Sequence, residues 1–483
     1  MKSFLVILII LLIFGINSKF LRNLQNSPPP SEHGGAPPSG EIPSGNDGPG
    51  GSSSNTYDYT NYLAVSKNEN LLNEEKTSNT SDQSVVYITD SGKTITDSTL
   101  SKESGESSNI ENSEFFGVNA AVLVQGGGLT ISGGTINTKA KGANALCATN
   151  QGTATISGTT ITSTAQSSAR GLHATYGGTI TATGVKVSST GSSCASLATD
   201  RGEGTVTCSG CQLSTSGSGS PLIYSTGVIN VTDNTQGTAT GAQAVVVEGK
   251  NSATVENSQL KCYGTPNRNN VDKCGVMLYQ SMSGDADSGT STFTCKSSSI
   301  EILSESDVYS TAPMFFITNT DAEINLENCT FSYGSNLFLS TKGTSEWGSS
   351  GTNGGVVTLN LKNQNISGNF EVDSNSGLTI KLSEKSYLKG TINSAKTAAK
   401  LNIILDSSSS IELTGNSSYT SIQNENTKGD NIINETFSWT ETEEREISRP
   451  SGGQNGNPSD ATASGKNNPN KLLFDLFMIL LIF

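Results

Sequence analysis

The chain is 483 residues long and carries a formal net charge of −14, with 15% charged and 6% aromatic residues. An acidic chain has no electrostatic means of holding a phosphate backbone, so this composition argues against nucleic acid as a partner. Two histidines cannot build a histidine-rich metal centre, and we expect neither a metal nor a cofactor.

Residues 1–18 are typical of a secretory signal peptide. Lys2 precedes an apolar run from Phe4 to Phe14 that is too short to span a bilayer, and Ser18 is a small residue at the expected cleavage point. An uncleaved membrane anchor is the alternative. Residues 19–56 hold seven of the 13 prolines between Ser27 and Ser54, and this composition predicts a disordered linker.

The middle of the chain repeats itself. The octets LTISGGTI, ATISGTTI, ITATGVKV and VTCSGCQL begin at positions 129, 154, 180 and 206, which are 25, 26 and 26 residues apart. Apolar residues recur at positions 1, 3 and 8, and glycine at position 5 suits a tight corner in the left-handed conformation. A period of about 25 residues with three short strands and no convincing amphipathic helix predicts an all-β fold, a parallel β-helix or β-solenoid, over residues 57–423.

A second recurring segment precedes each octet and ends in a polar corner. The corner reads TYGG after one strand, TDRGEG after the next and EGKN two windings later. An aromatic ring beside carboxylates and cations is typical of a sugar-binding surface, and a merely solvated turn with local ion pairs is the alternative. The predicted ligand-binding residues at this edge are Tyr176, Asp200, Arg201, Glu203, Glu248 and Lys250.

One tryptophan lies in an insertion rich in glycine and serine, residues 341–355. If exposed there, Trp347 would stack on a sugar ring, and we include it among the predicted ligand-binding residues. The alternative is that this tryptophan plugs the base of the insertion.

The sequence does not predict a disulfide for each of the eight cysteines. Cys262 and Cys274 flank a polar loop, YGTPNRNNVDK, and a disulfide between them would close it. Cys208 and Cys295 occupy position 3 of the octet, so we expect them to be buried as small hydrophobic residues. Four cysteines stay unassigned: Cys147, Cys194, Cys211 and Cys329.

The C-terminal part reads as a cap followed by an anchor signal. Residues 424–448 either cap the solenoid or are loose, and residues 449–471 form a disordered spacer. Ser459 is a small candidate attachment residue, with Ser464 and Asn467 as rivals, and residues 472–483 form a hydrophobic tail. A small site, a polar spacer and an apolar terminus together predict a glycosylphosphatidylinositol (GPI) anchor, with an unprocessed hydrophobic terminus as the alternative.

Six N-x-S/T sequons lie between the two ends and support passage through the secretory pathway. We take them as predicted glycosylation sites: Asn79, Asn230, Asn328, Asn365, Asn416 and Asn434.

The chain resembles bacterial adhesin-like right-handed parallel β-helix proteins, surface proteins of anaerobic, often gut-dwelling bacteria. The likeness covers residues 57–422 and includes EFFGVNAAVLVQGGGLTISGGTI, ARGLHATYGGTI, VEGKNSATVENSQL and SEWGSSGTNGGVVTLNL. It implies a right-handed winding, display behind a linker and an adhesive role, and it carries over no catalytic residue. The chain departs from the family in its signal peptide without a lipid-attaching cysteine, its apolar tail and the loop between Cys262 and Cys274, which together suggest a eukaryotic host.

We therefore predict a GPI-anchored cell-surface protein that binds an extracellular glycan or matrix without catalysis. The first alternative is a pectate-lyase-like enzyme, since such enzymes place carboxylates, Ca²⁺ and a basic residue on a parallel β-helix. Arg201 and Lys250 are the basic residues available for that chemistry at the predicted edge. The second alternative is an inert surface coat or spacer.

Overall fold

The computed structural model describes residues 57–434 and 436–448, which form one helix and 42 strands. The strands of each sheet pair in parallel. The predicted signal peptide, linker, spacer, hydrophobic tail and Ser459 lie outside the described residues. Within the described residues, no helix has the length and apolar character needed to cross a membrane.

Three long sheets, named A, B and C here, run along the stack, and one strand from each makes one winding of the chain. Sheet A contains β1 Ala64–Lys67, β4 Ser84–Ile88, β7 Val122–Gln125, β10 Leu146–Thr149, β13 Leu172–Ala174, β16 Leu197–Thr199, β19 Ile223–Ser225, β22 Val245–Glu248, β25 Val276–Tyr279, β28 Phe315–Thr318, β31 Leu337–Thr341 and β34 Asn369–Val372.

Sheet B contains β2 Leu71–Leu72, β5 Lys93–Thr96, β8 Gly128–Ser132, β11 Thr153–Ser157, β14 Gly178–Thr183, β17 Gly204–Ser209, β20 Val228–Thr232, β23 Ser252–Glu256, β26 Thr290–Lys296, β29 Asp321–Glu327, β32 Val356–Lys362, β35 Gly377–Ser383, β37 Lys400–Leu405 and β40 Ser421–Asn424. Sheet C contains β3 Glu75–Ser78, β6 Thr99–Lys102, β9 Thr135–Thr138, β12 Thr160–Ser163, β15 Lys186–Ser189, β18 Gln212–Thr215, β21 Gln236–Ala239, β24 Gln259–Cys262, β27 Ser299–Ile302 and β30 Thr330–Ser332.

Two smaller sheets lie among the last windings. Sheet D contains β33 Asn365–Ser367, β36 Tyr387–Gly390, β38 Ser410–Leu413 and β41 Ile432–Ile433, and sheet E contains β39 Ser417–Tyr419 and β42 Trp439–Glu441. Trp439 packs on Tyr419 with ring centroids 4.6 Å apart, and the Arg445 N–H donates to the Ala399 carbonyl over 2.8 Å. Parts of residues 424–434 and 436–448 therefore pack against the windings that precede them.

The register between windings follows the repeated octet. Position 1 forms one column in sheet B, made of Leu129, Ala154, Ile180 and Val206. Position 8 forms a second column in sheet C, made of Ile136, Ile161, Val187 and Leu213. All eight side chains are buried in one continuous core. The predicted parallel β-solenoid with three strands per winding is confirmed, and its right hand stays a prediction.

Position 5 of the octet makes the corner between sheets B and C. Gly158 has φ of 60° there, and Asn257 takes the same left-handed conformation with φ of 48° in a later winding. Asparagine tolerates this region better than other residues with a Cβ. The predicted role of position 5 is therefore confirmed.

One helix, α1 Ile110–Phe116, interrupts the strands between β6 and β7, so the expectation of a middle without helix is wrong. The Asn109 side chain caps it by accepting the Glu111 N–H, and Gly117 ends it with φ of 70°. The helix was missed because seven residues are too few for an apolar periodicity to stand out.

The predicted disulfide between Cys262 and Cys274 is wrong: both are buried free thiols. Cys262 ends β24 in the inner core, whereas Cys274 packs among residues on the outer side of sheet A. Cys208 is buried in the core as predicted. Cys295 is buried too, but it forms a disulfide with Cys329 of the next winding.

Candidate functional site

A cleft of about 330 Å³ lies on the outer side of sheet A. Successive strand residues point to opposite faces, so Ile223 and Val245 enter the core while their neighbours Tyr224 and Val246 face outward. One outward column in register is Ala198, Tyr224, Val246, Met277 and Phe316. The middle of this column forms the floor of the cleft.

The walls of the cleft come from four segments that leave the winding pattern. They are α1, the loops of residues 263–275 and 280–289, and the insertion of residues 342–355. These segments contribute Glu114, Phe115, Asn267, Arg268, Asp285 and Trp347. The site is therefore assembled by irregular segments on a regular sheet.

A buried cluster of opposite charges lies at one side of the cleft. Arg170 is only 7% exposed, and its Nη2 lies 3.3 Å from Glu114 Oε1 and 3.2 Å from Asp200 Oδ2. Burial raises the pKa of Asp200 to about 8, although the Arg170 guanidinium opposes this shift. Arg170 Nη1 is also buried and has no hydrogen-bond partner among the described residues. The cluster joins α1 to the sheet and leaves one donor unused.

His173 also ties α1 to sheet A. Its Nε2–H donates to the Glu114 carbonyl over 2.6 Å, and burial together with the nearby Arg170 cation lowers its pKa to about 3. The imidazole is therefore neutral at physiological pH and serves to position the helix. In the ladder His173 pairs with Cys147 of the preceding winding.

Glu248 does not lie on an exposed edge, contrary to the sequence prediction. It is 1% exposed, and its Oε2 accepts hydrogen bonds from Tyr224 Oη over 2.7 Å and Tyr279 Oη over 2.6 Å. Burial raises the pKa of this carboxyl. Glu248 is the last residue of β22. Its buried carboxyl group holds the hydroxyls of Tyr224 and Tyr279, two tyrosines that line the cleft.

Asp200 is likewise buried, at 4% exposed, because it pairs with Arg170. The remaining charged residues of the predicted edge do lie near one another at the surface. Lys250 Nζ is 2.9 Å from Glu203 Oε1 and 2.9 Å from Asp287 Oδ2, and Arg201 Nη2 is 2.9 Å from Asp285 Oδ1. These ion pairs hold the loop of residues 280–289 against the corners of sheet A.

The two predicted aromatic contacts are both largely covered. The Tyr176 ring stacks on Phe116 with centroids 5.4 Å apart and an angle of 3°. Trp347 is 5% exposed and packs with Val246 and Met277, so the plug interpretation describes it better. Trp347 nevertheless forms part of the cleft wall, with its ring edge-on to Tyr279 at 5.2 Å.

A second opening of about 540 Å³ lies where sheet C stops after β30 and sheet D starts at β33. Its lining includes Phe331, Phe338 and Ile366, with Lys389 as its charged residue. The opening follows from a break in strand pairing, and its polar lining carries only one charged side chain. We therefore place the candidate site in the cleft on sheet A, where aromatic and charged groups converge.

The predicted glycosylation sites fall mostly on the surface. Asn230 is half-buried within β20, and the others are exposed: Asn79, Asn328, Asn365, Asn416 and Asn434.

Within the described ranges, no group of three or more His, Cys, Asp and Glu side chains is arranged to hold a metal ion. Comparisons with protein-family models, with curated proteins and with solved structures find no match to this chain.

Proposed function

We propose that this protein is a cell-surface adhesin-like β-solenoid that binds an extracellular glycan, free or in a matrix, without chemical change. The observation that supports this most is the composition of the cleft on sheet A. Tyr224, Tyr279 and Trp347 supply aromatic surface, while Asn267 and Arg268 supply hydrogen-bond donors beside them. Sugars carry apolar C–H faces and a rim of hydroxyls, so they need both kinds of surface at once.

The rigidity of the cleft favours binding. Its floor belongs to a hydrogen-bonded ladder, and both tyrosine hydroxyls are already fixed by Glu248. A ligand therefore orders few side chains when it binds, which lowers the entropic cost of association.

Display at the cell surface completes the proposal. The signal peptide of residues 1–18 and the GPI signal around Ser459 would place many copies on one membrane, and the resemblance to adhesin-like β-helix proteins points the same way. Weak single-site affinity then becomes firm attachment, because neighbouring copies engage neighbouring ligands.

A glycan array probed with the secreted full-length chain tests the proposal. We expect binding to a restricted set of glycans and at least a tenfold loss for Arg268→Ala, a change at the exposed rim. Lys261→Ala is the control, since Lys261 is paired with Glu301 on sheet C, outside the cleft. Absence of binding to every glycan would instead support an inert coat.

The enzyme alternative is tested separately with polygalacturonate and added Ca²⁺. Release of unsaturated products that is abolished by Arg201→Ala or Lys250→Ala would replace binding with lyase chemistry as the function. We expect no product with either the parent chain or the variants.

A further inference from the structure

We propose that the ligand of the cleft on sheet A is an uncharged sugar, bound through its hydroxyls and not through a carboxylate, sulfate or amine. This inference rests on the proposed function and specifies the class of glycan. Three features of the cleft support it: the pairing of its charges, one unused buried donor, and the apolar floor.

The charges of the cleft are already matched within the protein. Arg170 lies between Glu114 and Asp200, and Arg201 is paired with Asp285. An anionic sugar entering this part of the cleft would meet carboxylates whose cations, Arg170 and Arg201, are already paired. Burying an unpaired charge is costly, whereas burying a hydroxyl that finds its hydrogen bonds is not.

Two further residues that line the cleft, Arg268 and Asp272, carry opposite charges. Arg268 has its guanidinium 5.9 Å from the Trp347 ring centroid, with no carboxylate within 4.0 Å among the described residues. Asp272 accepts only the backbone N–H groups of Asn267 and Arg268, at 3.0 to 3.2 Å. Arg268 is exposed and Asp272 is buried, so the unpaired cation lies at the rim and not in the buried cluster around Arg170.

The unused donor points to a hydroxyl partner. Arg170 lines the cleft and is 7% exposed; its buried Nη1 has no hydrogen-bond partner among the described residues, and the adjacent Nη2 is paired with Glu114 and Asp200. A sugar hydroxyl that reaches Nη1 can accept its hydrogen bond and donate its own proton to the Glu114 carboxylate. A ligand carboxylate accepts but cannot donate, and an ammonium donates but cannot accept, so neither satisfies both sides of this cluster.

The floor beside this cluster suits the C–H face of a sugar ring. Val246 and Met277 are buried apolar residues in register, and Tyr279 rises next to them with its hydroxyl fixed by Glu248. The apolar floor and the polar cluster are both present in one cleft, so one sugar unit can contact both.

Matched glycan pairs test the inference with the full-length chain. The probes are galactose oligomers against galacturonate oligomers, and chitin oligomers against de-acetylated chitosan oligomers, measured by titration at low and high salt. We expect the neutral member of any bound pair to bind at least tenfold more tightly, with little change on adding salt. Tighter binding of the uronate or of the chitosan member overturns the inference and leaves glycan binding in place.

A single exchange makes the test sharper. Asp285→Asn leaves the Arg201 guanidinium without its carboxylate, so the affinity for uronates relative to neutral oligomers should rise several-fold. Asp90→Asn is the matched control, because Asp90 is also paired with a cation, Lys93, outside the cleft. If the ratio of uronate affinity to neutral-oligomer affinity is unchanged in Asp285→Asn, the paired charges do not have the role given to them. If the parent chain binds none of the probes, the result counts against the proposed function itself.

Discussion

Arg201 and Asp285 are 84 residues apart in the sequence, and Arg201 Nη2 lies 2.9 Å from Asp285 Oδ1. The same guanidinium lies 4.0 Å from the Phe115 ring centroid. One side chain thus contacts both the loop of residues 280–289 and helix α1, which are two walls of the cleft. Arg201 therefore links these two walls directly.

We expect Arg201→Gln to loosen the loop of residues 280–289 without unfolding the solenoid. The pair is partly exposed, so the free energy of unfolding should fall by less than about 1 kcal/mol. Hydrogen exchange should nevertheless speed up in residues 280–289. Lys261→Gln, which removes another surface ion pair, should leave that loop unchanged, and equal exchange in both variants would contradict the contact.

Asp200 should make folding stability fall with rising pH. Burial raises its pKa from an ordinary value of 3.8 to about 8. The Arg170 cation opposes this rise, whereas the Glu114 and Asp285 carboxylates add to it. The folded chain therefore binds more protons than the unfolded chain between these values, and stability is lost as pH rises from about 4 to 8. The stability of Asp200→Asn relative to the parent should increase over that window.

Chemical denaturation at several pH values measures this difference. His173, whose pKa falls to about 3, contributes the opposite slope below its ordinary value of 6.5, but it is present in both proteins and cancels. A difference between Asp200→Asn and the parent that is flat from pH 4 to pH 8 would show that Asp200 is ionised throughout.

Tyr279→Phe should destabilise the protein by about 1–2 kcal/mol, because it removes a hydroxyl donor to the buried Glu248 carboxylate. Tyr387→Phe is the matched control, since Tyr387 also donates to a carboxylate, that of Glu412, at the surface. We expect the control to lose clearly less stability in thermal unfolding. Equal losses would indicate that burial of Glu248 has no role.

Alkylation of the unfolded, unreduced chain should modify six of its eight cysteines. Peptide mapping should find Cys295 linked to Cys329, with Cys262 and Cys274 both alkylated. A linked peptide containing Cys262 and Cys274 would restore the disulfide suggested by the sequence.

Gly158→Ala should lower the free energy of unfolding by about 1–2 kcal/mol, because the backbone at this corner has φ of 60°. Steric crowding is not the cause, since an added Cβ has no neighbour within 4 Å. Gly158→Asn should cost less, as asparagine already takes this conformation at position 257. Similar losses in urea denaturation for both variants would place the cost elsewhere than in the backbone.

The windings could be predicted because each is encoded by a short segment whose pattern recurs along the sequence. Ala154 and Ile156 bury themselves in register with Leu129 and Ile131, and a repeat of 25 residues is visible in the letters alone. The cleft was not predictable in the same way. Arg170 meets Glu114 from 56 residues away, through a short helix that carries no periodic signal.

The cysteines illustrate the same limit. The sequence places Cys295 at an inward position correctly, yet its partner Cys329 is 34 residues away in the next winding. A loop flanked by Cys262 and Cys274 suggests a closer pairing, but Cys262 ends β24 facing the core, whereas Cys274 lies in the loop and packs on the outer side of sheet A. Neither fact follows from spacing without the fold.

The disulfide between Cys295 and Cys329 joins two adjacent windings, one containing β26 and the next containing β29. A solenoid pulled from one end unravels winding by winding, since each winding contacts only its neighbours. If the protein carries tension in its proposed adhesive role, the covalent link will transmit the force across itself and protect the residues between Cys295 and Cys329 from being extended.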